Sequence, residues 1–276
     1  MAKVSTDARK KYFEKLKVYK EAIEQIKKRE QNIAQVVATG GAGIGYKKLT
    51  LAEENLNLVS YYVLMNSLSL SLLGGVKNEA YLNDARKCCY KSIIHLEEIL
   101  TNYVDVPFSE YEENLQEIED YSDEKRLLLL NKLGFSIQAV AEGFGENTKW
   151  KWAFVELRGR FATVTKNFLN LKTFVAGMDP RVDGYASRMA HMRLIKELLN
   201  QSADEYRQKY ELSNQRIDDF KLALGYLSAM RRIHSLLGEA EGAEELKKKI
   251  EIWKSKMESD SKKRDLAAKA RARAGK

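Results

Sequence analysis

Residues 147–175 read NTKWKWAFVELRGRFATVTKNFLNLKTFV. Apolar side chains recur at Trp150, Phe154, Leu157, Phe161, Val164, Phe168, Leu171 and Val175, in steps that alternate four and three. That spacing puts all eight on one stripe of an α-helix. Val155, Ala162 and Leu169 sit one position further round and widen the stripe, so the helix is expected to be largely buried, with other helices packed on it. Asn147 or Thr148 can cap its start, and Gly177 and Pro180 mark its end.

On its amino-terminal side, Ser122 caps a helix with Asp123 and Glu124 in its first turn. Leu127, Leu128, Leu130, Leu133, Ile137 and Val140 form its apolar face, and Gly143-Phe144-Gly145 ends it. On the carboxy-terminal side, Asp179-Pro180 reads as cap and first turn of a helix reaching about 212. Ser213 or Asn214 restarts the chain as a helix carrying Phe220, Leu224 and Leu227. A last helix begins near Ala240 with Leu246, Ile250, Trp253 and Met257. The pattern fades beyond Ser259.

The first half reads the same way. A long helix covers 5–38, with Tyr12, Leu16, Tyr19, Ile23 and Ile26 on its seam and Glu30 interrupting it. A glycine-rich loop spans 39–48. It fits no phosphate-binding pattern, since Tyr46 stands where lysine or glycine is needed and no strand precedes it. Thr50 and Glu53 read as a capping box. From Asn55 to Val76 no residue is charged, but interspersed asparagines and serines favour a buried core helix over a membrane span. Gly74-Gly75 turns the chain into a helix over about 78–103. Pro107 then breaks it, and a short acidic helix follows from Ser109.

Leu72-Leu73-Gly74-Gly75, Ala80-Tyr81 and Asp84 to Ile93 resemble the second half of a tetratricopeptide unit. Leu236-Leu237-Gly238 with Ala243, Leu246 and Ile250 is similar to it again. The resemblance covers about a third of the chain. It implies paired helices that approach closely through small residues and stack. The fold expected is all-α, either a multi-helix bundle or a short helical-repeat superhelix of antiparallel hairpins. Residues 1–261 read as one helical domain with a possible sub-boundary near 104–108, and 262–276 as a loose basic tail.

Charge is uneven. Residues 105–124 hold nine acidic groups and no basic one, whereas 262–276 hold seven basic groups against Asp265. The tail residues Lys262, Lys263, Arg264, Lys269, Arg271 and Arg273 are candidate contacts for nucleic acid. The flank of the 147–175 helix is also basic, with Arg158 and Arg160 the candidate contacts there. Pairing with the acidic segment of the same chain is its simpler explanation. Trp152 lies off the apolar stripe and is a candidate interaction residue.

No catalytic, cofactor-binding or metal-binding pattern emerges. His95, His191 and His234 lack ligand-spaced neighbours. The 179–184 loop has Arg181 at a calcium-ligand position and Ala190 where the closing glutamate belongs. Cys88 and Cys89 are adjacent, which suits a reducing compartment. With no signal-peptide pattern, the expected location is cytoplasmic. The function expected is a non-enzymatic helical scaffold or adaptor mediating protein–protein interaction within a larger assembly. Its partner is a protein or a second copy, and membrane association is disfavoured. The alternative is a nucleic-acid-associated protein acting through the basic tail.

Overall fold

The computed structural model describes residues 4–146, 148–213 and 215–274; of residue 265 and residues 267–274 it describes only the backbone. Among the described residues there are ten α-helices, one short 3-10 turn and no strand. The helices are α1 (Thr6–Thr39), α2 (Ile44–Leu72), α3 (Glu79–Glu97), α4 (Glu112–Gln116), α5 (Asp123–Phe144), α6 (Lys151–Asn167), α7 (Leu171–Ala176), α8 (Tyr185–Leu212), α9 (Ile217–Leu236) and α10 (Ala240–Ala274). The chain forms two compact units, one from 1–102 with 107–192, the other from 103–106 with 193–276.

In the first unit α2 makes the most extensive helix contacts, packing against α1, α3 and α5. The sequence expectation had placed that role on the 147–175 helix. α6 is instead the most completely enclosed for its length, with eleven of its seventeen residues buried, and it packs on α3 and α5. The reason α2 can sit so deep lies in its asparagines and serines. Buried Asn55 donates to the Leu51 carbonyl at 2.9 Å and buried Ser69 to the Val76 carbonyl, while buried Asn66 accepts from the Asn78 N–H, so the inward polar side chains are satisfied within the α2–α3 hairpin. Among the described residues no helix is long and apolar enough to cross a membrane.

α1 lies antiparallel to α2. Tyr12, Leu16, Ile23 and Ile26 are buried along its seam. Glu30, which interrupts that seam, is half-buried and accepts from Asn55 Nδ2 and Lys91 Nζ, both at 3.2 Å. α2 and α3 form a hairpin held by Ser69 Oγ donating to the Val76 carbonyl and the Asn78 N–H donating to Asn66 Oδ1, both at 2.8 Å. This hairpin and the α9–α10 hairpin occupy the two stretches quoted for the repeat resemblance.

Several boundaries depart from the expectation. α2 begins at Ile44, six residues before the capping box, and Thr50 is mid-helix with its hydroxyl donating to the Tyr46 carbonyl. The helix expected over 78–103 ends at Glu97, and the short acidic helix begins at Glu112. The 147–175 helix is two helices. It starts at Lys151, and it breaks after Asn167, where Asn170 Oδ1 accepts from the N–H groups of Lys172 and Thr173 and starts α7. The break rotates the stripe, leaving Phe174 buried and Val175 exposed. Asp179-Pro180 opens a turn, in which Asp179 pairs with Arg181, and α8 starts at Tyr185.

In the second unit Val104 lies against Gly225 and Asp105 pairs with Arg232 at 2.9 Å. Phe220 and Trp253 are buried edge to face, and Arg207 and Lys249 both lie over the Trp253 ring. α10 runs helically through 262–274, the stretch read from sequence as a loose tail.

Candidate functional site

Two surfaces of the first unit are built well enough to be sites. The first is a polar cleft of about 380 Å³ beside the start of α5. Two buried arginines form its floor. Arg126 donates to the carbonyls of Tyr121 (2.7 Å), Phe168 (2.9 Å) and Ile118 (3.1 Å). Arg188 donates to Asp123 Oδ2 and the Asp183 carbonyl, both at 2.8 Å, and to the Gly177 carbonyl. Gly177 is required here, because a Cβ would stand 2.6 Å from the Arg188 Cζ. Both guanidinium groups thus hold loop carbonyls in place, while the buried Arg188 Nε has no hydrogen-bond partner among the described residues.

His191 is buried close by, with Nε2 at 2.8 Å from the Thr165 carbonyl. A carbonyl only accepts, so Nε2 carries the proton. Burial holds its pKa down at about 4, and the nearby Arg126 charge adds to this. Glu124 at the cleft mouth is held below the usual carboxylate range by hydrogen bonds from its own backbone N–H and Ser122. These shifts move both groups away from acid–base work near neutral pH.

The second surface is a groove of about 670 Å³ between α2 and α5. These two helices run parallel. The Asp120 N–H donates to Tyr46 Oη at the start, Lys132 Nζ donates to Asn57 Oδ1 in the middle, and Lys77 Nζ donates to the Phe144 carbonyl at the end. Each helix turns a seam outward at steps of four and three. On α2 the seam is Glu53, Asn57, Ser60, Leu64, Ser67 and Ser71. On α5 it is Glu124, Leu128, Asn131, Phe135, Gln138 and Glu142. Only the end residues of these seams are charged, in a chain with 31% charged residues overall. Solvated helix faces normally carry the charge, so this face is not built for water alone. Leu128 and Phe135 are 68% and 70% exposed, and Leu64 is 45% exposed. On the α1 side, Arg29 Nε donates to Glu54 Oε1 at 2.7 Å, and this hydrogen bond holds the Glu54 carboxyl below its usual range.

The sequence had Leu128 on the buried face of its helix; in the structure Leu129 is buried and Leu128 points outward. Phe135 was legible only as an aromatic outside the apolar stripe. Trp152 was singled out by that same signal; it is half-buried under Lys151 Nζ, which lies 4.9 Å from its ring centroid. Arg160 pairs with Glu97 and lies over the Tyr90 ring. Arg158 is half-buried and engaged within the protein. Lys172 pairs with Glu112 of the acidic segment, while Lys149 faces Glu79. Within α10, Lys262 and Lys263 are exposed, and Arg264 donates to Gln215 Oε1 and lies over the Tyr210 ring. The side chains of Lys269, Arg271 and Arg273 lie outside the described residues. Trp152, Arg158 and Arg160 do not border the groove.

His95 lies 3.8 Å from Glu98, and His234 lies 2.6 Å from Glu239. Among the described residues no group of three or more histidine, cysteine or carboxylate side chains is placed to hold a metal ion. Cys88 and Cys89 are free and buried, and burial pushes the Cys88 thiol up to about 12.

A model of the TP0443 family matches residues 8–261, and the chain belongs to that family. No curated protein and no solved structure matches it.

Proposed function

We propose, with membership of that family as the premise, that the chain is a non-enzymatic helical scaffold or adaptor of the cytoplasm that holds protein on its α2–α5 face. The observation that carries this reading is the pair of outward seams around the groove, charged only at their ends, with Leu64, Leu128 and Phe135 exposed at its centre. A groove between two helices with heptad-like spacing has the shape that a third helix fills. The finer reading of α2–α3 and α9–α10 as degenerate tetratricopeptide units belongs to this proposal; tight glycine turns at Gly74 and Gly238, both at positive φ, support it.

The test is a photo-crosslinking amino acid at position 135 in the cells that make the protein, with position 20 on the outer face of α1 as control. The expected result is one discrete protein adduct from position 135 and none from position 20. No adduct, or the same adducts from both positions, would remove the reading. A second reading, nucleic-acid binding by the end of α10, is favoured by the exposed Lys262 and Lys263 on a helix that continues with further basic residues.

A further inference from the structure

The amino-terminal half of α1 sets an aromatic ring among cations. Phe13 is 64% exposed. Helix spacing places Arg9 and Lys10 beside it on the preceding turn and Lys17 on the following one, and Lys20 continues the row. All four are exposed. Residues 9–20 hold Arg9, Lys10, Lys11, Lys15, Lys17 and Lys20 against Glu14 alone, and Glu14 points about 100° away from Phe13. Phe13 has no place inward, because Tyr12 and Leu16 fill the seam against α2 and the Tyr19 ring meets that of Tyr61 at 5.9 Å. Ser5 Oγ accepts from the Ala8 N–H at 3.1 Å and caps the helix just before this surface.

Internal contacts leave this surface largely unused. Trp150, Trp152 and Trp253 each have a cation over the ring. Among the described residues no cation lies over Phe13, whose ring meets Tyr12 edge on at 5.3 Å. Lys11 takes Asp7 at 2.9 Å, and Lys17 reaches Glu21 at 4.0 Å with both side chains exposed. Lys10 and Lys20 have no ion-pair partner among the described residues. The positive charge around Phe13 is therefore not neutralised within the protein.

A basic row with an apolar ring at its centre complements an acidic lipid surface, where mobile headgroups gather round the cations and the ring enters the headgroup layer. Three of the four cations are lysines, compact point charges, and no asparagine or glutamine stands among them to read a base edge. A nucleic-acid duplex would meet the charges and leave Phe13 without a role. We propose that the 9–20 face of α1 docks the protein on the surface of an anionic lipid bilayer, with Phe13 inserted and Arg9, Lys10, Lys17 and Lys20 on the headgroups. This is attachment at the surface; among the described residues no helix is long and apolar enough to span. None of these residues lines the α2–α5 groove, so the inference stands apart from the reading of that face.

Co-sedimentation of the full chain with vesicles tests it, using phosphatidylcholine alone and phosphatidylcholine with about one-third phosphatidylglycerol in 0.15 M salt. Binding is expected to the acidic vesicles only, and it should weaken as salt is raised. Lys10→Gln with Lys20→Gln removes two cations and should weaken binding roughly 25-fold, at about fivefold for each cation near an acidic leaflet. Phe13→Ala changes no charge and should weaken it about tenfold. Lys262→Gln with Lys263→Gln, an equal charge change on α10, should leave it unaltered. All these positions are exposed, so the fold should be kept, which circular dichroism checks. No binding to acidic vesicles, equal binding to both kinds, or binding indifferent to Phe13→Ala overturns the proposal. So does equal loss from the α10 pair, or tighter binding to a labelled duplex that the α1 pair abolishes. A lipid contact at position 20 leaves no protein adduct, so this test and the photo-crosslinking test fail separately.

Discussion

His191→Gln should flatten the pH dependence of stability between pH 6.5 and 4. His191 is buried and neutral, and its folded pKa of about 4 lies below its ordinary 6.5. As pH falls, the unfolded chain takes up this proton first. The contribution of His191 is therefore complete above 6.5, shrinks as pH falls, and is gone near 4. A displacement of about 2.5 units, at 1.36 kcal/mol per unit, makes the loss roughly 3 kcal/mol. Glutamine keeps an N–H donor for the Thr165 carbonyl and does not titrate. Urea midpoints at pH 7.5, 6.5, 5.5 and 4.5, compared between the two proteins, isolate this one residue. His95, whose pKa is also lowered by burial, is present in both. Carboxylates held low by cations, such as Glu54 under Arg29, stabilise above their unfolded value, and that contribution is lost as pH falls through the folded one. Their window is lower, and it is common to both proteins. A glutamine variant that loses stability between pH 6.5 and 4.5 as steeply as the parent would refute the reasoning.

Gly177→Ala should cost about 3 kcal/mol in the same unfolding assay, because the new Cβ displaces the Arg188 guanidinium and leaves Asp123 without its buried partner; a change under 1 kcal/mol would show that the loop gives way instead. Asn170→Ala removes the side-chain cap of α7 and should cost about 1 kcal/mol, with Asn170→Asp costing less. Shortening the chain to end at Ser261 should leave the unfolding midpoint within experimental error. If the nucleic-acid reading holds, the same change abolishes salt-sensitive binding of a labelled duplex in fluorescence anisotropy, whereas equal binding by both forms would remove the tail from consideration.

The helical class of this protein was readable because helix periodicity is local. Tyr12, Leu16, Ile23 and Ile26 on α1, Phe154 to Val164 on α6 and Leu246 to Trp253 on α10 lie on stripes that the alternating steps mark out, and these stripe residues are buried. Caps were readable for the same reason where the side chain and its target are three residues apart, as at Ser122. Two kinds of feature escaped. Helix breaks that depend on distant groups did: the end of α6 falls where Arg126, forty-two positions away, takes the Phe168 carbonyl. So did the direction of residues beside a stripe. Leu128 and Leu129 have equal claims to the core in sequence, and only the placement of α5 against α2, α3 and α6 turns one in and the other out.

The amino-acid sequence by itself determined that this is an all-helical chain, which faces of most helices are apolar, and that 55–76 is an uncharged stretch. Those properties follow from repeat spacing and side-chain chemistry along a single segment. Only the tertiary structure decided that α2 rather than α6 makes the most extensive helix contacts, that Arg126 and Arg188 are directed at loop carbonyls, and that Leu64, Leu128 and Phe135 share one groove. Each of these depends on which segments meet across tens of residues of chain. That is set by the combined packing of several faces, which no one segment carries.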